Sequence, residues 1–209
     1  MRALPGLVLI LALAGCATSS GERAQGFVKP ELASAYIPLE GISYLLVQSR
    51  GAAFVIAPGI AVTNAHNAGI VASQSVIGIS RNYDLLYFRV DRSIAMASSS
   101  PWAGERVIAY GQGAHGELRR AEGVVRMLDA PVEARCRTCA IQAAFTFEGD
   151  AGPGFSGGPV VDAQSGNLVG VTFGYLDPNG RRLMYAYPMT RVRDELATIL
   201  GHLPAQAAN

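Results

Sequence analysis

The 209 residues are half apolar, enough for a packed core, and carry 17 basic against 16 acidic side chains. So even a balance leaves no basic footprint for a phosphate backbone and excludes nucleic acid as an expected partner. The length suits one domain, or two small fused barrels, behind a short leader.

The leader comes first. Arg2 is followed by an apolar run, Leu4 to Ala14, and then by Leu13-Ala14-Gly15-Cys16. A short charged region, an apolar stretch and small residues before a cut site make a secretory signal. The run is too short to span a bilayer as a mature helix. Leu-Ala-Gly-Cys resembles the lipobox of bacterial lipoproteins, which implies cleavage before Cys16 and a diacylglycerol on its thiol. Ala17, rather than Asp, implies sorting to the outer membrane, facing the periplasm. The expected organisation is a signal peptide (1–15), a lipidated flexible tether rich in Ala, Ser, Thr, Gly and charges (16–35), a folded domain (36–203) and a tail (204–209).

The body reads as strands. Short apolar runs at 42–47, 53–56, 60–63, 76–79, 85–90, 107–110, 123–128, 141–147, 159–161, 168–173 and 183–187 are punctuated by Gly and Pro. That pattern predicts an all-β sandwich or barrel. One helix is expected from Thr190 to Gly201, with Val192, Leu196, Ile199 and Leu200 on its apolar face. Cys136 and Cys139 stand in a C-x-x-C. Zinc would need a second ligand pair and a redox motif a βαβ context, neither of which is present. In an exported chain a disulfide pinning a loop is expected, with free thiols the alternative. No metal and no cofactor are expected.

Three patterns carry chemistry. Thr63-Asn64-Ala65-His66 ends one strand, Asp84-Leu85-Leu86-Tyr87-Phe88 opens another, and Gly154-Phe155-Ser156-Gly157-Gly158-Pro159 sets a serine in a glycine-rich turn before a third. A serine hydroxyl needs an adjacent base, and an imidazole titrates near neutral pH. A carboxylate fixes the imidazole tautomer, and backbone N–H groups stabilise the oxyanion. The reading is therefore His66, Asp84 and Ser156 as a catalytic triad, with Gly154 and Ser156 supplying the oxyanion hole. His115 and His202 lack such a context and are read as non-catalytic.

In motif, order and spacing of flanking strands, residues 42–200 resemble the trypsin/chymotrypsin-like serine proteases, in the style of bacterial high-temperature-requirement-type members without a PDZ domain. The resemblance implies two six-stranded-type β-barrels with a C-terminal helix and a serine endopeptidase acting on proteins or peptides through an acyl-enzyme. Thr172, Phe173 and Gly174 match the segment that pairs with substrate backbone. Asp150, six positions before Ser156, matches the acid at the base of the specificity pocket, which would favour Arg or Lys substrates; the alternative is a surface turn. Leu183 falls where the family has a pocket-lining glycine.

The chain also departs from the pattern. His66 and Asp84 are only 18 positions apart, so the first barrel is expected to be abbreviated and Asp91 is the alternative acid. Phe155 replaces the acid that pairs with a freed N-terminus in zymogens. Only nine residues follow Leu200, so no PDZ module is expected. A Gly-x-Ser-x-Gly elbow of the α/β-hydrolase type is disfavoured, because that fold needs a helix after the serine and a histidine later in the chain. The second functional class is an inactive, peptide-binding lipoprotein on the same fold.

Overall fold

In the computed structural model the described residues are 20–41, 49–133, 140–177 and 182–201. Cys16, Cys136, Cys139 and His202 lie outside them, as does the expected strand at 42–47.

Two sheets carry the chain. The first has five strands, β2 (Tyr36–Glu40), β3 (Arg50–Ala57), β4 (Ile60–Thr63), β5 (Val76–Ile79) and β6 (Leu86–Arg89), ordered β2-β3-β4-β6-β5. The second holds β7 (Arg106–Gln112), β8 (Leu118–Glu133), β9 (Ala140–Glu148), β10 (Pro159–Asp162), β11 (Leu168–Leu176) and β12 (Leu183–Pro188). Pairing of β8 with β9 closes these six into a barrel, ordered β8-β7-β10-β11-β12-β9, and β1 (Glu22–Arg23) is laid along the outside of β8. The expected trypsin-like β architecture with an abbreviated first half therefore holds: the second half is a closed six-stranded barrel, and five strands are described in the first sheet.

Alternation along the strands explains the packing. In the first sheet Phe54, Val62 and Tyr87 face the seam, where they meet Ile108, Tyr110, Val161, Val171 and Tyr187 of the second. Ala53, Ala61, Leu86 and Phe88 face the other way, into a separate cluster. Both faces of β3 are thus covered, which is why its sequence after Arg50 is an unbroken run of small and apolar residues. The closed barrel is filled by a third cluster that includes Val107, Phe145, Phe147, Val160 and Met184.

The helix α2 (Met189–Gly201) packs on this body through Met189, Val192 and Leu196. Leu200, expected on the apolar face, is exposed. Instead Glu195 is turned inward, where it accepts a hydrogen bond from the Ser80 hydroxyl at 2.7 Å, and Tyr87 donates to the Val192 carbonyl at 2.7 Å.

The N-terminal segment is the main correction. Residues 20–35, expected to be a free tether, are docked on the domain. Helix α1 (Pro30–Ala35) opens with proline in its first turn and buries Leu32 and Ala35 completely. Phe27 lies between Tyr36 and Tyr110, at centroid distances of 5.3 and 4.7 Å. Composition suggested a solvated linker because the apolar residues here are few, but each fills a gap along the seam.

Directly before β7, Glu105 is 2% exposed beside Asp162 of β10. Burial, and less strongly the Asp162 carboxyl, pushes its acid up to about 7, against the pull of the Trp102 N–H at 3.1 Å. The folded chain thus holds a proton between pH 4.5 and about 7 that the unfolded chain releases, so folding stability falls as pH rises through that window. Glu105→Gln is expected to flatten this slope, read from denaturant unfolding at pH 5, 6, 7 and 8.

Candidate active site

The site lies at the seam, where both sheets meet. His66 opens a 3₁₀ turn, Ala65–Ile70, at the end of β4, and Asp84 precedes β6. Because β4 and β6 are hydrogen-bonded neighbours, with Thr63 opposite Leu86, the two motifs are adjacent despite the chain between them. The short spacing costs nothing, since β5 joins the far side of β6.

Asp84 holds His66 at two points. One carboxylate oxygen accepts the His66 backbone N–H at 3.0 Å, and the other lies 2.6 Å from Nδ1. The Asp84 carbonyl accepts from the Asn64 side chain at 3.0 Å and its backbone N–H points to the Tyr187 hydroxyl at 3.3 Å. A carboxylate on Nδ1 sets the tautomer with its proton there, leaving Nε2 as the basic nitrogen. The imidazole is 46% exposed and therefore open to a ligand, while the Asp84 side chain is 22% exposed. The carboxylate on the ring is that of Asp84; Asp91 lies beyond the end of β6.

Ser156 stands in a pair of consecutive turns. Phe155 N–H donates to the Gly152 carbonyl at 3.1 Å and Gly158 N–H to the Phe155 carbonyl at 2.9 Å. Pro153 followed by Gly154 at φ +90°, then Ser156 followed by Gly157 at φ +80°, fit the central pairs of two type II turns. Both glycines also touch backbone: a Cβ on Gly154 would strike the Gln112 carbonyl, and one on Gly157 the Ala52 carbonyl and Thr63 hydroxyl. Among the described residues the N–H groups of Gly154 and Ser156 donate no hydrogen bond, whereas those of Phe155, Gly157 and Gly158 all do. Two adjacent unspent donors beside a serine hydroxyl suit a developing oxyanion.

Residues outside the catalytic triad hold these turns. The Ser156 carbonyl accepts from the Ala52 N–H at 2.8 Å and from Asn67 Nδ2 at 3.1 Å, and Asn67 also donates to Thr63 Oγ1 at 3.0 Å. Thr63 in turn donates to the Ala52 carbonyl at 2.7 Å. Gln112 links both sheets: its side chain donates to the carbonyls of Leu39 and Gly51, and its backbone N–H to Gly154 at 3.0 Å. A polar residue after the histidine, and another closing an apolar strand, were the only sequence signals for these two. No hydrogen bond among the described residues joins the Ser156 hydroxyl to His66; such bonds often tighten only when a substrate is bound.

Beside Ser156 opens a pocket of about 280 Å³. Thr172, Phe173 and Gly174 line it, together with Met184 and the Gly152–Pro153 turn, and no lining residue is charged. Phe173 is stacked on Tyr187 at 4.0 Å. Asp150 is not part of it. Its side chain is 73% exposed and paired with Arg182 at 3.0 Å, so the surface-turn alternative is the one that stands. Leu183 does not line the pocket either; the pleat of β12 turns Met184 inward and Leu183 to the opposite face.

A family model described as a trypsin-like peptidase domain matches residues 61–171. The Rv3671c protease from M. tuberculosis, in its active form, is 20% identical, covers 79% of this chain and 81% of its own, and superposes with a TM-score of 0.66. For the HtrA-type protease AlgW with a tripeptide the values are 21%, 82%, 62% and 0.63, so this chain spans less than two thirds of AlgW. The MamO protease domain from Magnetospirillum magneticum is 18% identical over 79% of this chain and 97% of its own, at a TM-score of 0.61. No curated protein sequence matches. At these identities the solved structures speak to the fold.

Asn67→Ala leaves the buried Thr63 hydroxyl and the Ser156 carbonyl each short of one donor. A loss of about 1–3 kcal/mol in folding stability is expected from denaturant unfolding. Asn67→Asp, which keeps the shape but not the donor, is expected to fare no better.

Proposed function

Since the chain belongs to the trypsin-like peptidase domain family, we propose that it is a serine endopeptidase working through an acyl-enzyme. The observation that carries the proposal is the two-point grip of Asp84 on His66 beside a double turn whose Gly154 and Ser156 N–H groups are unspent.

In this reading the Ser156 oxygen bonds to the scissile carbonyl carbon while its proton passes to His66 Nε2. The carbonyl oxygen takes the electron pair and rests on the Gly154 and Ser156 N–H groups. Collapse of the tetrahedral intermediate breaks the C–N bond, and His66 returns the proton to the leaving amine. Water then repeats the sequence on the acyl-enzyme, releasing the acid and regenerating Ser156. The Asp84 carboxylate orients the ring and stabilises its cation. The uncharged pocket lined by Met184 and Phe155 suits an apolar residue on the acyl side of the cleaved bond, in place of the Arg or Lys that an acid at Asp150 would have favoured. The AlgW structure with a tripeptide is consistent with peptides as the ligand class for this fold.

The location is part of the proposal. The Leu13-Ala14-Gly15-Cys16 motif argues for a lipid on Cys16 and an envelope protein, held at the outer membrane and facing the periplasm. No helix among the described residues is long and apolar enough to cross a membrane. Four residue steps, about 14 Å fully extended, separate Cys16 from Ser20, the first described residue, so the anchor would hold the domain close to the lipid surface. The competing reading, a peptide-binding module without activity, draws on the missing Ser156–His66 hydrogen bond.

A fluorophosphonate probe separates the two. Wild type is expected to label at Ser156 and to cleave a peptide library after apolar residues. Ser156→Ala and His66→Ala are each expected to lower kcat by about 10³-fold or more, the double variant by little more, because the triad acts as a unit. Full peptidase activity in Ser156→Ala would refute the mechanism. For the anchor, Cys16→Ser is expected to move the protein from the membrane to the soluble fraction.

A further inference from the structure

The docked N-terminal segment meets the chain at the turn that carries the oxyanion donors. That turn runs from Gly152 to Phe155, closed by the 3.1 Å bond between its ends, and the segment touches both ends. At the first, a Cβ on Gly152 would strike Ser20, whose own Cβ would be 2.9 Å away. At the second, a Cβ on Gly21 would lie 2.9 Å from the tip of the Phe155 ring. Phe155 is 1% exposed, and at the base of its side chain a Cβ on Gly111 of β7 would be 2.6 Å from Cγ. Phe155, the residue directly before the nucleophile, is therefore clasped between two glycines, one of them supplied by the N-terminal segment.

The segment is itself held by charged side chains. Arg119 donates from Nε to the Ser20 carbonyl at 3.1 Å and from Nη2 to the Gly21 carbonyl at 2.8 Å. Glu22 and Arg23 pair with Arg120 and Arg119 along β8, and Ala24 N–H donates to Leu118 at 2.9 Å. Arg182 then ties the segment to the residues leading from β9 into the turn: its Nη1 reaches Ser20 Oγ at 2.8 Å, Asp150 Oδ1 at 3.0 Å and the Ala151 carbonyl at 3.4 Å. Ser20 is 5% exposed, so this is a buried joint.

We propose that Ser20 and Gly21 are positioning residues for the oxyanion turn, and that docking of the N-terminal segment, locked by Arg119 and Arg182, keeps the Gly154 N–H free of an internal partner. This rests on the proposed role of that N–H. The turn has an alternative open to it, because rotation of the Pro153–Gly154 peptide exchanges a type II for a type I turn and redirects the Gly154 N–H. With Ser20 against Gly152 and Gly21 against Phe155, the ends are fixed and the turn keeps the positive φ at Gly154. The same segment leads directly to Cys16, so the state of the chain terminus and the geometry of the site are joined through a few residues.

The test uses the full chain and two variants. Gly21→Val forces a branched side chain onto a residue at φ +69° and against Phe155; Ser20→Ala removes only the hydroxyl and serves if the valine variant does not fold. For Gly21→Val, kcat on an apolar peptide is expected to fall about tenfold or more, with KM within about threefold. Ser20→Ala is expected to move kcat the same way by a smaller factor. In both, hydrogen exchange should accelerate across residues 150–157 and stay unchanged in β3 and β4. A kcat within about twofold of wild type together with unchanged exchange in that stretch overturns the proposal. Failure of the wild type to take the fluorophosphonate would sink the protease reading instead, and the exchange arm would still decide whether the segment holds the turn.

Discussion

At the centre of this molecule backbone presses on backbone with no side chain between. Gly154 lies on the Gln112 carbonyl of β7, Gly157 on the Ala52 carbonyl of β3, and Gly158 on the Tyr110 carbonyl of β7. The turns around Ser156 can enter the seam between the two sheets only because these positions lack a Cβ. The serine is thus placed by strands of both sheets at once. Any separation of the sheets would move the nucleophile relative to His66, which belongs to the first sheet alone.

Close approach of that kind leaves many polar backbone groups out of water, and each needs a partner. The partners are short side chains at the strand ends. The single proton of the Thr172 hydroxyl is shared between the carbonyls of Phe155 and Gly158, the latter at 3.1 Å, and Thr63, Asn67 and Gln112 serve the other side. The Thr172 backbone completes the lattice, giving its N–H to Gly158 and its carbonyl to Gly157. This residue therefore both lines the pocket and supports the turn opposite it. A change in the pocket wall at Thr172 is also a change in the nucleophile's support, whereas Met184, which closes the pocket from β12, has no such second duty in the hydrogen-bond lattice.

Charge is kept away from the pocket and put to structural use around it. Arg182 and Asp150 neutralise one another at the surface, and Arg182 joins three stretches of chain. Arg119 performs the same service for the N-terminal segment. Guanidinium groups suit this work because they present several donors in a fixed plane and so collect carbonyls from separate segments. Ion pairs this exposed add little stability by themselves; their effect here is on where the segments lie. The pocket is left to select by shape and apolar contact.

Much was readable in the sequence alone, and for local reasons. The glycines flanking Ser156 are required by the φ values of the turns that hold it, so the motif is a direct record of backbone geometry. Runs of alternating and continuous apolar residues marked ten of the twelve strands among the described residues, because the pleat imposes a period of two and double burial removes it. The positions of His66 and Asp84 at the ends of strands followed in the same way. What the sequence could not settle depended on register and on contacts between distant segments. Asp150 stands six places before the nucleophile, yet Arg182, 32 residues away, draws it to the surface. Met184 rather than Leu183 faces the pocket because β12 enters its sheet in one register, which places every second side chain outside. Residues 20–35 carry the composition of a linker and still dock, since Phe27, Leu32 and Ala35 meet a complementary surface that exists only once both sheets are folded. Composition and period are properties of neighbours in the chain; a joint such as Ser20 with Arg182, 162 positions apart, is decided only when tertiary packing brings its two sides together.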